Sequence, residues 1–180
     1  DPARGSVTDL FDSMELPSEL GKIKRVFTLD DGVLLATATF GSFRSTDGGA
    51  HWQPVDAEWN VLDAEHLLKG PEGQWWLACQ RALFVSPDNG QSWRYVKLKI
   101  KGPHYSELRG GIAIVNQRLF VGTKAGLLCS ALSRPDAVEY VPAFEGQSIE
   151  ALHGDAVSGE LIVGTATGAL WRYGVDDASA

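Results

Sequence analysis

The sequence predicts an all-β fold, a β-propeller built of about four four-stranded Asp-bearing blades arranged as a compact ring or as half of a larger propeller. One observation is a segment of about a dozen residues that recurs four times. Another is a turn sequence rich in Asp and Gly that follows two of the copies. A third is the prevalence of short runs of Val, Leu, Phe and Thr between Gly, Pro and Asp, which is typical of strands, while helical periodicity is not sustained.

The recurring segment defines the repeat unit. Its last residue is Ser45, Ser86, Ser130 or Arg172, so successive copies are 41, 44 and 42 residues apart. That spacing matches the length of one propeller blade of four antiparallel strands. A small residue stands four places before each end and an apolar residue two places before it: Gly41, Ala82, Gly126 and Gly168, and Phe43, Phe84, Leu128 and Leu170, respectively.

Each unit is interpreted as strands A to D. Strand B is the apolar run, a short turn leads to strand C, and the Asp-bearing turn leads to strand D. The repeats cover residues 23–174, in units 23–58, 59–102, 103–144 and 145–174, with a C-terminal tail at 175–180. The fourth unit lacks a clear strand D, and the N-terminal segment 1–22 could supply it from residues 7–16.

Two turns share the pattern S-x-D-x-G-x-x-W. The aspartates can accept hydrogen bonds from N–H groups of their own turn, and the glycines supply turn conformations that other residues resist. The tryptophans can pack beneath the hairpin as apolar clamps. These residues therefore predict architecture and not catalysis: Ser45, Asp47, Gly49 and Trp52 in one turn, and Ser86, Asp88, Gly90 and Trp93 in the other.

These turns resemble the Asp-box (BNR) repeat. With the Gly122-Thr123 and Gly164-Thr165 steps, the pattern is most similar to photosystem II stability/assembly factor-like proteins, and more distantly to sialidase and sortilin propellers. The resemblance implies a non-enzymatic protein-binding scaffold, or assembly or stability factor, that acts through one propeller face. Two alternatives stay open, a glycan-binding or sialidase-like protein, and a half-propeller completed by self-association or by a partner chain.

Motifs that carry catalysis or bind a cofactor are not found in the sequence. The Arg-Ile-Pro motif that precedes the first box in sialidases is missing before Ser45, and no GxSxG, HExxH, Walker A or dinucleotide-binding glycine pattern occurs. The four histidines are scattered along the chain. We therefore expect no enzyme activity, no cofactor and no metal site.

A binding surface is expected on the face that carries the B–C and D–A turns. Aromatic and arginine side chains on such a face are typical of protein interfaces. The candidate binding residues are Phe40, Trp59, Arg81, Tyr105, Arg109 and Lys124. A second cluster is expected at the starts of the inner strands, near the axis, and consists of Lys24, Glu65, Arg109 and Glu150. Its members either neutralise one another in ion pairs or form a charged pocket for a ligand.

Composition limits the partners. The net charge of −7 argues against sequence-independent binding of nucleic acid, and no apolar run is long enough for a membrane helix. We expect protein partners, including a second copy of the chain. Cys79 and Cys129 are expected to be small buried side chains without a bridge. The start without Met and the repeat type favour a periplasmic or secreted protein. The basic run at Arg94, Lys97, Lys99 and Lys101 is expected to protect the edge of an outer strand.

Overall fold

The structure is a computed structural model that describes residues 22–39, 41–57, 64–100 and 107–176. Regular structure in these ranges is almost entirely β, apart from the single 3-10 turns Asp30–Gly32 and Pro142–Phe144. None of the described helical turns has the length and apolar character required to cross a membrane. The predicted all-β class is confirmed.

Fifteen of the sixteen described strands form four antiparallel sheets, which we call blades 1 to 4, and the remaining strand pairs in parallel at the edge of blade 2. Blade 1 contains β1 (Ile23–Thr28), β2 (Leu34–Ala38), β3 (Gly41–Ser45) and β4 (Gln53–Pro54). Blade 2 contains β6 (Ala64–Lys69), β7 (Trp75–Cys79), β8 (Ala82–Ser86) and β9 (Ser92–Val96). Blade 3 contains β10 (Leu108–Val115), β11 (Arg118–Thr123), β12 (Gly126–Ala131) and β13 (Glu139–Tyr140). Blade 4 contains β14 (Ile149–Asp155), β15 (Glu160–Thr165) and β16 (Leu170–Gly174). The first strand of each blade contacts that of the next blade, so β1, β6, β10 and β14 are the inner strands.

Alternating apolar side chains hold consecutive blades together. In β11, Leu119 and Val121 face blade 2 while Phe120 between them faces blade 4, because successive strand residues point to opposite faces. The equivalent arrangement buries both faces of blades 2 and 3. The buried side chains of the three seams include Leu35, Leu77, Phe84 and Trp93 between blades 1 and 2, Trp76, Leu83, Val121 and Leu128 between blades 2 and 3, and Phe120, Phe144, Leu161 and Val163 between blades 3 and 4.

The hairpin of blade 4 departs from the repeat. In blades 1 to 3 two residues separate strands B and C, and Val121 lies opposite Leu128 in blade 3. In blade 4 residues 166–169 form the turn, and Val163 lies opposite Trp171 instead of Leu170. A slip of one residue moves every side chain to the other face. The expectation that Leu170 matches Phe43, Phe84 and Leu128 is therefore wrong, and its side chain is 76% exposed.

Arg94, the first residue of the basic run, lies in the outer strand β9, and Lys97 and Lys99 lie beyond its end. The strand β9 ends at Val96, and the N–H of Lys99 donates to the carbonyl of Asp136 in blade 3. In addition, β5 (Asp56–Ala57) pairs in parallel with the start of β9 and covers its outer edge. The expected role of Lys97 and Lys99 in edge protection is therefore corrected, since the chain leaves the strand before them. Lys101 lies outside the described residues.

The two end blades differ from the inner ones in exposure. Among the described residues, all large hydrophobic side chains that are exposed lie in blade 1 or blade 4: Ile23, Val26, Val157, Leu170 and Trp171. The described strands of these two blades share no contact like those that join consecutive blades. Blade 4 has three described strands, and the expected contribution of residues 7–16 lies outside the described part of the chain.

Candidate binding surface

A β-bulge interrupts the inner strand of every blade close to its start. The register shifts between Ile23 and Arg25 in blade 1 and between Ala64 and His66 in blade 2. It shifts again between Leu108 and Ile112, and between Ile149 and Ala151. A bulge inserts a residue and redirects side chains. The residues at the four bulges include the predicted axial cluster, Lys24, Glu65, Arg109 and Glu150.

The B–C turns lie at the same end as these bulges. The N–H groups of Thr39, Lys124 and Ala166 donate to the carbonyls of Lys22, Glu107 and Ser148, at 3.1, 3.1 and 2.9 Å. Each of these acceptors directly precedes an inner strand. We call this surface the rim: the starts of the inner strands, the residues leading into them, and the B–C turns. The same backbone arrangement thus forms the rim in blades 1, 3 and 4.

Glu107 connects two of the predicted binding residues. Its Oε2 accepts from Lys124 Nζ at 2.6 Å and from Arg109 Nε at 3.4 Å. The hydrogen bond and charge of Lys124 hold the pKa of Glu107 below its usual value of 4.5, so this carboxylate is ionised at neutral pH. Glu107 is not among the binding residues predicted from the sequence. Its position directly before β10 indicates a role in the site only once Lys124 is known to lie beside it.

Lys24 and Glu65 come together at the seam between blades 1 and 2. They line a recess of about 250 Å³ with Arg25, Ala64 and Gln80. Gln80 Nε2 donates to Glu65 Oε1 at 3.4 Å. The fourth predicted member of the cluster, Glu150, accepts from Ser148 Oγ at 2.7 Å in its own blade.

The remaining predicted binding residues divide into two groups. Arg81 is exposed in the turn that follows Gln80. Phe40, Trp59 and Tyr105 lie outside the described residues. The structure therefore places cationic members of the predicted surface on the rim, and their role in binding stays a prediction.

His66 lies where the inner strands of blades 2 and 3 approach closely. Gly111 has φ +78°, and a Cβ at this position would be 2.8 Å from His66 Nδ1. Burial lowers the pKa of His66 below its usual 6.5, the charge of Glu65 opposes this shift, and that of Arg25 adds to it. The imidazole is consequently neutral at physiological pH and adds no positive charge to the rim.

The two Asp-bearing turns lie at the opposite end of the blades. Asp88 Oδ1 accepts from Ser86 Oγ at 2.8 Å and from the N–H of Ser92 at 2.9 Å, and Ser86 Oγ accepts from the N–H of Gly90 at 2.8 Å. Trp93 packs in the seam with blade 1. Both carboxylate oxygens of Asp88 are engaged within their own turn, since Oδ2 accepts from Ser92 Oγ.

The first turn has the same set of contacts. Asp47 Oδ1 accepts from Ser45 Oγ at 2.8 Å and from the N–H of His51 at 2.9 Å, and the N–H of Gly49 donates to Ser45 Oγ at 2.9 Å. Trp52 is buried and donates from Nε1 to the carbonyl of Gly49. The two turns thus share the hydrogen bonds of Ser and Asp and differ at the tryptophan, since the buried Trp93 Nε1 has no hydrogen-bond partner among the described residues.

The described residues hold no group of three or more His, Cys, Asp or Glu side chains that could bind a metal ion. Neither Cys79 nor Cys129 forms a disulfide; the first is buried and the second half-buried. Burial raises the pKa of the Cys129 thiol, although Arg118 beside it works in the opposite direction. The Cys129 thiol is accordingly protonated at neutral pH.

No protein-family model matches the chain, and no curated protein matches it either. Solved structures do. The extracellular domain of a putative one-component system of B. thetaiotaomicron is 20% identical, with a TM-score of 0.61, over 92% of this chain and 23% of that one. PorZ, an essential surface component of the type-IX secretion system of Porphyromonas gingivalis, is 14% identical, with a TM-score of 0.63, over 88% and 26%. YCF48 bound to D1 peptide is 13% identical, with a TM-score of 0.60, over 91% and 53%.

The fold is that of a β-propeller. At these identities the likeness concerns the fold alone, and it agrees with four stacked sheets whose first strands meet at the centre. The propeller chain described here spans about a quarter of the first two of these proteins and about half of YCF48.

Proposed function

We propose that this propeller is a non-enzymatic protein-binding scaffold, an assembly or stability factor, that engages its partner through the rim. One observation carries the proposal: a bulge at the same place in all four inner strands presents exposed, charged side chains at one end of the molecule. A bulge disrupts the hydrogen-bond ladder between two strands and redirects a side chain. A bulge that recurs in every blade is therefore expected where the redirected side chains form a functional surface.

Two further points support this proposal. We assign the turns around Asp47 and Asp88 to the Asp-box type, because both have the same closed set of hydrogen bonds, which leaves their carboxylates to the turn itself. In addition, one structural neighbour is bound to a peptide and another is an essential component of a secretion system. Protein recognition within a larger assembly is the activity that these contexts have in common.

A comparison of rim and control variants tests the proposal. Arg81, Arg109 and Lys124 are replaced together by Ala, and Arg94, exposed on the outer strand β9, is replaced by Ala as the control. Affinity capture from the source organism, followed by mass spectrometry, should show the same partner with wild type and R94A, and its loss with the rim variant. Protein capture that survives in the rim variant, together with loss of glycan binding or of sugar turnover, would favour the carbohydrate-active alternative.

The exposed ends of the array favour a second candidate function, self-association into a larger propeller. Val26 is 54% exposed in blade 1 and Leu170 is 76% exposed in blade 4, whereas the corresponding faces of inner blades are buried. Burial of such side chains against another copy would be favourable. Sedimentation of wild type and of a V26K/L170K variant decides this point: a dimer that the variant disrupts supports it, and a monomeric wild type excludes it.

A further inference from the structure

Charge is unevenly distributed around the rim. The described rim carries six cations and four acids, a sum of 6 − 4 = +2, whereas the whole chain has a net charge of −7. The cations are Lys22, Lys24, Arg25, Arg81, Arg109 and Lys124, and the acids are Glu65, Glu107, Glu145 and Glu150. The described part of the rim is thus cationic on a protein that is acidic overall.

The positive charge is concentrated where blades 1 and 2 meet. Lys22 and Arg25 belong to blade 1, Arg81 belongs to blade 2, and none of the three forms an ion pair with another described residue. By contrast, Glu107 accepts from both cations of blade 3. In blade 4 the described rim has carboxylates and no cation. The surface therefore changes sign across the axis.

The backbone fixes the positions of these three cations. The N–H of Lys22 donates to Thr39 Oγ1 at 3.1 Å, and the N–H of Thr39 donates to the carbonyl of Lys22 at 3.1 Å. The carbonyl of Gln80, next to Arg81, accepts from the N–H of Leu108 at 2.7 Å. Because the backbone is held before binding, less conformational entropy is lost when a partner docks.

We propose that the cationic part of the rim, formed by Lys22, Arg25 and Arg81 where blades 1 and 2 meet, binds an acidic segment of a protein partner. This inference rests on the proposed function and names the chemistry of the partner. A guanidinium binds a carboxylate through two parallel hydrogen bonds, and two guanidiniums and one ammonium suit a segment with several carboxylates. The recess beside Arg25 is also lined by Glu65, whose carboxylate repels an acidic side chain, so the segment binds to the exposed cations and not inside the recess.

The acidic side of the rim argues for a peptide and against a polyphosphate. A nucleic acid that extended from the cations across the axis would meet Glu145 and Glu150 in blade 4, where phosphates are repelled. A protein segment can place carboxylates over blades 1 and 2 and neutral or basic residues over blade 4. The pattern of charge therefore also fixes the direction of the segment relative to the ring.

Three sets of fluorescent extended peptides test the inference. The sets differ only at four positions, which are all Glu, all Gln or all Lys, and their affinities are measured by anisotropy at low and at moderate ionic strength. We expect the Glu set to bind about tenfold more tightly than the Gln set at low salt, and the preference to shrink as salt is added. Replacing Arg25 and Arg81 by Gln should abolish the preference, and R94Q should retain it.

The outcomes distinguish this inference from the proposed function. Equal binding of the Glu and Gln sets, lost when Arg81, Arg109 and Lys124 are replaced by Ala, would overturn the inference and leave a peptide-binding rim. Absence of binding in all three sets would overturn both. Binding of a single-stranded oligonucleotide of matched charge as tightly as the Glu set would show an unselective polyanion site and overturn the assignment to an acidic protein segment.

Discussion

Two aspartates show at the residue scale how a conspicuous acidic side chain can serve the fold. Asp88 accepts three hydrogen bonds from groups of its own turn: from the Ser92 N–H at 2.9 Å, from the Ser86 hydroxyl at 2.8 Å and from the Ser92 hydroxyl. Without this acceptor, those donors would compete for water in a turn that is partly buried. The carboxylate therefore closes the turn and positions Trp93 over the seam.

Replacement of Asp88 by Ala tests this structural role. We expect the free energy of unfolding in urea to fall by about 1–3 kcal/mol, because several donors lose their acceptor at once. The variant E72A, in an exposed turn of blade 2, is the matched control and should stay close to wild type. If D88A unfolds like wild type but fails to bind a partner, the carboxylate has a binding role instead.

Acid should weaken both turns. Hydrogen bonds from His51 and Ser45 hold the pKa of Asp47 well below its usual 3.8. Burial works to raise the pKa of Asp88, but hydrogen bonds from Ser92 and Ser86 outweigh it, so this pKa is lowered as well. A carboxyl with a depressed pKa in the folded state stabilises the fold above the unfolded value, and this stabilisation is lost as the pH falls below it.

A double variant with Asp47 and Asp88 replaced by Asn isolates this effect. The difference in unfolding free energy between wild type and variant should be constant near neutral pH and should shrink below about pH 4. Urea denaturation over a pH series measures it. A difference that does not change between neutral and acidic pH would mean that neither carboxylate titrates with a lowered pKa.

At the scale of the element, the close approach of inner strands depends on a few glycines. A Cβ at Gly122 would lie 2.7 Å from Gly110 Cα in the inner strand of the same blade and 2.9 Å from Ile149 Cγ2 across the seam in blade 4. The corresponding Gly164 has its nearest neighbour, Ala151 Cβ, at 3.4 Å, which is an ordinary contact. The same Gly-Thr step is thus constrained in blade 3 and not in blade 4.

This contrast predicts different effects of the same substitution. G122A should lower the free energy of unfolding by about 1–3 kcal/mol, because the added methyl group forces the two blades apart. G164A should have an effect below about 0.5 kcal/mol, as is usual for sites without such contacts. Thermal or urea unfolding of the two variants provides the comparison, and equal losses would contradict the packing at this seam.

The elements also show what could be predicted from the sequence. Strand positions in blades 1 to 3 follow from the repeat, because a two-residue turn fixes the register of each B–C hairpin. The register of the hairpin in blade 4 could not be predicted from the repeat, because Leu170 and Trp171 are both apolar and either can face the core. There the four-residue turn at 166–169 decides the register, and the sequence pattern has no independent signal for turn length.

The site was predictable to a similar extent. Charged residues at the starts of the inner strands could be located from the strand order, and the structure places Lys24 and Glu65 in one recess. The pairing of Glu107 with Arg109 and Lys124 could not be derived. It depends on how closely a B–C turn approaches the residue before an inner strand, which is a distance between segments far apart in sequence.

For the whole molecule, the organising feature is a series of stacked blades in which the first and the last described seams each have an asparagine side chain that links two blades. At the seam of blades 1 and 2, Asn89 accepts from the N–H of Asp30 at 3.1 Å and donates to its carbonyl at 3.2 Å. At the seam of blades 3 and 4, Asn116 Nδ2 donates to the carbonyl of Val175 at 2.7 Å. Both asparagines have positive φ, 53° and 48°.

Substitutions at these two asparagines test whether a loss of stability at one seam spreads to the blades at the other end. Glycine accepts a positive φ without strain, so N89G and N116G each remove the side-chain hydrogen bonds of one asparagine and little else. In a stack where each unit contacts only its neighbours, the loss stays local. Amide exchange should therefore accelerate in blade 1 in N89G and in blade 4 in N116G, with the opposite end unchanged in each case. If both variants accelerate exchange equally in blades 1 and 4, the ends are coupled and the propeller unfolds as a closed, single cooperative unit.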